Sequence, residues 1–409
     1  VHRLIDLPGV STILLTGSLM GGYASSLFPT FRALVPEFRE QFGRDDLGLF
    51  VERFGFQKFK IERKPTIHEY RGTTTDRVLD RVKSVGEIPG VAPSFLIPHL
   101  LPNAVFLHKR DLDIALPSLD ERPVPLDRYG DIDEELLAEY RRLERALLDR
   151  LGSFRFQPSR AGKLLGALVE LPSYLDRATD DLEPFALVDP GEREEALEGE
   201  PKPFAVGRSF PASWRTPKER WLLQEVKRRL AAEERVLIFL RHTGSGLPQR
   251  LLTLLRAIDN RVAFLDVKKV STSKREDWIN SQVLAKDVRV LLVHPKAVQT
   301  GLNNLVAFSV GIWHELETSA TTYRQANGRL HRIGQKKPVS ILVPYYPKTA
   351  QQTMLDLVAR KVSVSRLTDG LDLQAALEAA GAGEDQAIAA AAAMSLGQAV
   401  YARLVERAN

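Results

Sequence analysis

The sequence contains no cysteine, so neither a disulfide nor a thiolate metal site can hold it together, and a reducing cytoplasm is the setting it suits. No apolar run approaches the roughly 20 residues that cross a bilayer, and no cationic-then-apolar leader of the secretory kind is present, which sets membrane readings aside. The eight histidines show no paired metal-ligand spacing, and neither Ser25 nor Ser118 stands in a nucleophile-elbow setting. Charge of one sign barely dominates: 57 basic against 52 acidic residues leave +5, which permits binding to a polyanion without locating it. The phosphate loop Gly-x-x-x-x-Gly-Lys-Ser/Thr is missing as well, since Gly162-Lys163 lacks the earlier glycine and is followed by Leu164. Nor does an acidic Mg²⁺ motif sit on an apolar strand; Asp133-Glu-Glu-Leu136 falls at a helix start, where carboxylates suit the helix dipole.

What is present is a globular composition, 44% hydrophobic and 27% charged, in a chain of 409 residues. Single cores stop growing near 250 residues, so two or three packed units are expected. The chain opens on Val1 and meets the strand-like run Ser11-Thr-Ile-Leu-Leu15 almost at once, which suggests a cut inside a larger protein. After a turn at Thr16-Gly17-Ser18, aromatic and leucine residues recur at helical spacing through Phe42, and Pro89 to Pro102 break the periodicity. A helix is predicted from Asp133 to Leu151, with Leu136, Tyr140, Leu143, Leu147 and Leu151 as its stripe and Gly152 as its stop. Between Asp189 and Pro203 the chain is acidic and rich in glycine and proline, and reads as a linker.

Thr216-Pro217-Lys218-Glu219 has the form of a capping box with proline at the first helical position, and opens a new domain. Beyond it, apolar β-branched runs alternate with helical stretches: Val236 to Leu240, Val262 to Leu265, Val288 to Val293, Phe308 to Trp313 and Val339 to Val343. Continuous apolarity means strands covered on both faces, and intervening helices mean right-handed parallel crossovers. The predicted fold is a doubly wound α/β domain, followed by an alanine-rich helical tail from about Gln374 to Asn409.

The chemistry concentrates in Tyr323-Arg-Gln-Ala-Asn-Gly-Arg-Leu-His-Arg-Ile-Gly-Gln335. Gln325, Gly328, Arg329 and Arg332 fall at i, i+3, i+4 and i+7, which on a helix is one face. A glycine inside a helix costs about 1 kcal/mol, so Gly328 implies close approach of something to the backbone, and two flanking guanidinium forks suggest phosphate. Taken alone, the pattern is also that of a basic solvated helix face. A second loop, Gln299-Thr-Gly-Leu-Asn-Asn304, follows the strand Val288 to Val293, where ligands bind on such sheets. Thr300 and Asn303 can bond phosphate or ribose oxygens, and Gly301 can bring its amide close, although a plain turn has the same composition.

These residues resemble, in order and spacing over about residues 11 to 360, the switching/sucrose-non-fermenting-type ATPases of helicase superfamily two and their bacterial and phage relatives. Leu14 to Ser18 with Leu19-Met-Gly-Gly looks like the third motif, and Phe106 to Asp111 with Leu116-Pro117 like the basic segment after the first helical protrusion. Val236 to His242 resembles the fourth motif, Ser273 to Glu276 the segment after the next strand, Thr300 to Asn303 the fifth motif and Gln325 to Gln335 the sixth. The resemblance implies a RecA-like second lobe over 206–370, preceded by the end of the first lobe over 1–120, a helical insertion over 121–188 and the linker over 189–205, and followed by the tail over 371–409. It implies that Arg329 and Arg332 reach the terminal phosphates of ATP, Arg332 as transition-state finger and Gln325 orienting both. Gly301, Asn303 and Gly328 line the nucleotide cleft; Thr300, Arg241, His242 and Arg275 face nucleic-acid phosphates; Thr16, Gly17 and Ser18 couple the two.

ATP and Mg²⁺ are then held mainly by a front half that the sequence does not contain, and the chain alone is expected not to hydrolyse ATP. Double-stranded DNA is the expected partner, together with that missing portion, in a nucleoid-associated cytoplasmic setting. Val298-Gln-Thr300 replaces the richer glycine run of the chromatin-remodelling branch, Gly328-Arg329 replaces its Asp-Arg, and Asn304 resembles an insertion, so a prokaryotic or phage translocase is expected over a nucleosome remodeller. The competing readings are a non-catalytic nucleic-acid-binding or scaffold module that kept the lobe, and an RNA helicase of the same superfamily.

Overall fold

A computed structural model describes residues 13–16, 19–21, 23–70, 73–88, 90–106, 116–126, 134–153, 170–189, 202–299 and 302–368. The predicted turn residues Gly17 and Ser18, the loop residues Thr300 and Gly301, most of the acidic linker and the alanine-rich tail lie outside them. The chain divides into two compact units, one of Val1–His108 with Arg360–Met394 and one of Lys109–Ala359 with Ser395–Asn409.

In the first unit, short helices Phe28–Leu34, Pro36–Gln41 and Leu47–Phe54 are formed by phenylalanines at helical spacing, and the first two carry a proline in the first turn, where no amide bond is lost. Phe28, Phe31, Phe38, Phe42, Phe50, Phe54 and Phe95 interlock, mostly edge to face or tilted, with Phe31 and Phe95 4.8 Å apart. Two long strands follow, β1 (Phe56–Tyr70) and β2 (Thr73–Ile88), paired antiparallel from Phe56↔Ile88 to Tyr70↔Thr73, with one register shift at Lys58/Phe59. No hairpin was expected here, because the apolar alternation of β1 is interrupted at Arg63 and Pro65. The expected strand Ser11 to Leu15 is also corrected: residues 13–16 have no regular structure, and Ile13 and Leu15 are 84% and 89% exposed.

The second unit is built on a six-stranded, all-parallel sheet. Its strands are β3 (Leu119–Pro125), β6 (Val236–Phe239), β7 (Val262–Phe264), β8 (Val290–Val293), β9 (Val310–Trp313) and β10 (Val339–Tyr345), and a small ribbon of β4 (Ala186–Leu187) and β5 (Ala205–Val206) stands apart. Every residue of β6, β8 and β9 is buried, as the continuous apolar runs require. The five runs read from the sequence are all strands. The sixth, β3, was unexpected: Leu-Asp-Glu-Arg-Pro-Val-Pro is polar and carries two prolines, which only an edge strand tolerates. The strand order β3-β10-β9-β6-β8-β7 with flanking helices is that of a doubly wound α/β domain.

The helix predicted at residue 133 runs Glu134–Ser153 and buries Leu136, Tyr140, Leu143, Leu147 and Leu151. The capping box is formed: Thr216 Oγ1 accepts from the Glu219 amide at 3.1 Å, and the Thr216 amide donates to Glu219 Oε2 at 2.9 Å. Gly311 in β9 leaves room for its neighbours, since a β-carbon there would lie 2.8 Å from Ile341 Cδ1 and 3.3 Å from Leu330 Cδ2. That close approach lets the segment after Asn327 settle on the sheet.

Candidate phosphate-facing site

The sheet reverses direction at β6. The chain moves from β6 to β7 and back to β8 on one side, then crosses to β9 and β10 on the other, so the carboxyl ends of β6, β8 and β9 lie together. Ligand crevices form outside such points. After β6 come Arg241 and His242, after β8 His294 and the loop through Asn303, and after β9 His314 and Glu315.

The helix after β9 spans Ala320–Asn327, with the Ser319 side chain accepting from the Thr322 amide at 3.2 Å. It ends sooner than the spacing predicted. Gly328 is its C-cap with φ −63°, and Arg329 and Arg332 lie in the turns beyond, so the four residues do not share one helical face. The close neighbour of Gly328 is its own preceding turn: an added β-carbon would lie 3.1 Å from the Arg324 carbonyl. Asn327 stops the helix against the sheet, accepting from Trp313 Nε1 at 2.9 Å and donating to Glu121 of β3 at 3.0 Å.

The turns bring both arginines to the loop after β8, although not in the expected manner. Arg329 donates from Nη2 to the Gln299 carbonyl at 2.5 Å and from Nη1 to the Leu302 carbonyl at 3.3 Å, so it shapes the loop. Burial, and then the charge of Arg332, lower its pKa. Arg332 uses only Nη1, donating to Asn303 Oδ1 at 2.6 Å, and the rest of its fork is partly open. Arg275, expected at nucleic acid, donates from Nη1 to the Ala297 carbonyl at 3.1 Å, and Asn304 Nδ2 reaches Asn280 Oδ1 at 2.9 Å. Gln335 fastens the end of the motif, with Nε2 donating to the carbonyls of Val306, Phe308 and Leu330 at 3.0–3.1 Å. Among the described residues, no carboxylate pairs with Arg329 or Arg332.

Arg241 and His242 form a second cluster, held by acids. Glu315 Oε2 accepts from both backbone amides at 2.8 Å, and its Oε1 lies 2.7 Å from His242 Nδ1. Glu170 spans the other side, with Oε1 2.5 Å from Arg241 Nη2 and Oε2 2.9 Å from His242 Nε2. Burial pulls the His242 pKa down, but hydrogen bonds to Glu170 and Glu315 outweigh it and carry it up to about 9. Burial likewise raises Glu315, and the bonds from His242 overcome it and bring the carboxyl down to about 2. The Glu170 carboxyl is lowered by its hydrogen bond to His242. Neither acid was picked out from the sequence. Glu315 had a signal, since it follows a buried strand at the end where sites form; Glu170 had none.

Next to this cluster, Lys218 is buried with its Nζ 2.7 Å from Asp176 Oδ1 and donating to Gln351 Oε1 at 3.0 Å. A cavity of about 30 Å³ adjoins it, room for about one water. Of the other expected residues, Gln325 sits half-buried on the helix after β9 and Thr16 lies in the first unit. No helix among the described residues is long and apolar enough to cross a membrane.

No protein-family model matches the chain. Over 98 residues it is 33% identical to the Caenorhabditis elegans homolog of the SWI/SNF-related matrix-associated actin-dependent regulator of chromatin subfamily A containing DEAD/H box 1, covering 24% of this chain and 10% of that protein. The human protein of that name is 28% identical over 145 residues, 36% of this chain and 14% of the relative, and the mouse protein matches equally. A solved structure of the C-terminal part of the Fun30 ATPase domain aligns over 38% of this chain and 54% of that one, with 23% identity and a TM-score of 0.32. The match therefore spans about a tenth to a seventh of the curated relatives' length. On the segment it shares with them, this chain is similar to SWI/SNF-related regulators of chromatin that contain a DEAD/H box.

Proposed function

We propose that this chain is part of an ATP-driven DNA translocase and supplies the arginine side of its phosphoryl-transfer site. The observation that carries the reading is Arg332, a guanidinium that among the described residues has one neutral partner, Asn303, and no carboxylate. ATP with Mg²⁺ supplies the transferable phosphoryl group when bound. The residues present fit a phosphate, because Arg332 has spare donors and Arg329 fixes the loop bearing Asn303 through its two carbonyls. In this reading Arg332 stabilises charge on the terminal phosphate, Arg329 positions it, and Gln325 orients both from the helix end. Gly301 and Thr300 complete the loop, with Thr300 toward nucleic acid. Arg241, His242 and Arg275 face the phosphates of one DNA strand, and Thr16 to Ser18 couple that grip to the nucleotide. Work of this kind takes place on the nucleoid or chromatin.

The sequence has no phosphate loop to cradle ATP, so the 409-residue chain by itself does not turn ATP over. The test is phosphate release by the purified chain with duplex DNA. No release is expected, and release that Arg332→Ala abolishes sinks the half-site reading. The relatives are named for chromatin regulation and a DEAD/H box, which supports DNA work by a motor over an inert scaffold.

A further inference from the structure

The six-stranded sheet has two edges, and the chain treats them differently. In a parallel ladder, alternate residues of a strand turn both main-chain groups toward one neighbour, and the residues between turn theirs away. The Ser118 carbonyl accepts from the Val339 amide at 2.8 Å, so residues 118, 120, 122 and 124 face β10 and residues 119, 121, 123 and 125 face outward. Pro123 and Pro125 stand at two of those outward positions, where they remove donors that a further strand would need. On the opposite edge, the Arg261 carbonyl accepts from the Arg289 and Val290 amides at 2.8 and 3.2 Å, and the Leu265 amide donates to the Leu292 carbonyl at 3.0 Å. Those bonds turn residues 261, 263 and 265 toward β8 and leave the N–H and C=O of Val262 and Phe264 facing outward. β7 contains neither proline nor charge, and among the described residues no strand lies beyond it.

That open edge lies in a groove of about 620 Å³, a size usual for ligand clefts. Leu252 from helix Leu247–Arg256, Phe264 from β7 and Trp278 from the helical turn Arg275–Trp278 are half-buried and give the groove an apolar lining. Its charged lining is Arg256, Arg261, Lys269 and Lys286 against Asp266 alone. Arg261 is committed to Asp259 at 2.9 Å and Asp287 at 2.8 Å. The other cations keep most of their charge. Arg256 is exposed and has no acidic partner among the described residues, and Lys286 donates to the neutral Gln282 Oε1 at 2.6 Å. Lys269, with its side chain 83% exposed, stands 3.8 Å from Asp266.

An open main-chain edge, an apolar lining and uncompensated cations together suit an acidic peptide in extended form. Nucleic acid suits them less, because phosphate oxygens only accept hydrogen bonds and the outward carbonyls of Val262 and Phe264 need donors. A second copy of the chain, pairing through the same edge, would set Arg256, Lys269 and Lys286 against their own kind. We propose that the β7 groove is a docking site for an acidic, extended segment of a partner protein, which joins the sheet as a further strand. Its main chain bonds to Val262 and Phe264, its carboxylates meet Arg256, Lys269 and Lys286, and an apolar side chain rests on Trp278. Such docking is independent of the motor reading.

Binding of a fluorescein-labelled Glu-Val-Glu-Phe-Glu-Val-Glu peptide to the intact chain is followed by anisotropy at about 0.1 M salt. The triple variant Arg256→Gln, Lys269→Gln, Lys286→Gln is expected to bind it about tenfold more weakly, as the loss of several exposed ion pairs allows, and Lys336→Gln with Lys337→Gln to bind it as the unmodified chain does. A second measurement leaves the protein untouched. A strand added to an edge uses the amides of alternate residues only, so a peptide N-methylated on its glutamates and one N-methylated on its apolar residues are expected to differ in affinity by at least about tenfold. Equal affinities of those two peptides, no binding up to about 1 mM peptide, or undiminished binding by the triple variant refutes the site. So does a short DNA duplex that displaces the peptide and loses affinity for the triple variant by the same factor, since the groove is then a nucleic-acid track.

Discussion

Two clusters of cations stand at the carboxyl edge of the same sheet, and they are held in opposite ways. Arg329 and Arg332 are positioned by backbone carbonyls and an amide oxygen, which fix geometry and leave the charge uncompensated. Arg241 and His242 are positioned by Glu315 and Glu170, which fix geometry and cancel the charge. A cation held by neutral dipoles keeps its field for an incoming anion; one held by a carboxylate offers it only after the carboxylate leaves. The first cluster keeps its charge open to an incoming anion, and the second is already occupied by an acid.

The largest effect expected from this contrast is on the first cluster. In a preparation that joins this chain to a phosphate-loop half, Arg332→Ala is expected to lower kcat by about 10³ or more, the order associated with an arginine finger. Its stability should change by less than about 1 kcal/mol, because one hydrogen bond at a partly open position is lost. Arg329→Ala should do the reverse in part, costing roughly 1–3 kcal/mol in urea unfolding by leaving two loop carbonyls without a donor. Equal stability losses in the two variants would mean that both arginines are merely structural.

Much of this lobe was legible in the sequence, for a definite reason. The runs behind β6, β7, β8, β9 and β10 are short, apolar and punctuated, and β6, β8 and β9 are buried along their whole length. The Thr216 box and the stripe of helix Glu134–Ser153 are local patterns with local causes. Three features were not legible. The polar strand β3 is made a strand by its neighbour β10, and no periodicity encodes that. The strands of the β1–β2 ribbon interrupt their apolar alternation with Arg63 and Pro65, and their pairing partner rather than their own pattern makes them strands. The helix bearing Gln325 was extended too far because i, i+3, i+4 and i+7 also describe residues that a tight turn brings to one side. The arginines were found and their partners were not, since Gln299 and Leu302 contribute only carbonyls, which every residue has.

The second cluster can be tested through its protons. His242 titrates near 9 when folded and near 6.5 when unfolded, so the stability it contributes is complete below pH 6.5 and is lost as pH rises through about 9. Glu315, at about 2 instead of 4.5, contributes stability present above pH 4.5 and lost as pH falls toward 2. Both describe one interaction and count once. The difference in unfolding free energy between the unmodified chain and His242→Gln should therefore be flat from about pH 5 to 6.5 and shrink by up to about 3 kcal/mol by pH 10. A difference independent of pH over that range would show that His242 is neutral and the cluster is not an ion network.

The smallest effect concerns Glu170, and it converts the second cluster into the first kind. Its side chain is 44% exposed, so the pairs it makes with Arg241 and His242 are worth about 0–1 kcal/mol, and Glu170→Gln should barely change stability. Glutamine keeps the shape and gives up the charge. Glu315 remains to hold the two backbone amides, so Arg241 and His242 keep their places while the outer counter-charge disappears. If Glu170 occupies an anion's seat, the variant should bind a short DNA duplex several-fold more tightly at about 0.1 M salt, with a slope steeper by up to about 1. Glu315→Gln gives no such gain, because that carboxylate is buried against the amides and no phosphate can replace it there. Tighter binding in Glu170→Gln alone makes the acid a competitor for DNA; unchanged binding makes Arg241 and His242 part of the scaffold, and leaves the grip to other cations.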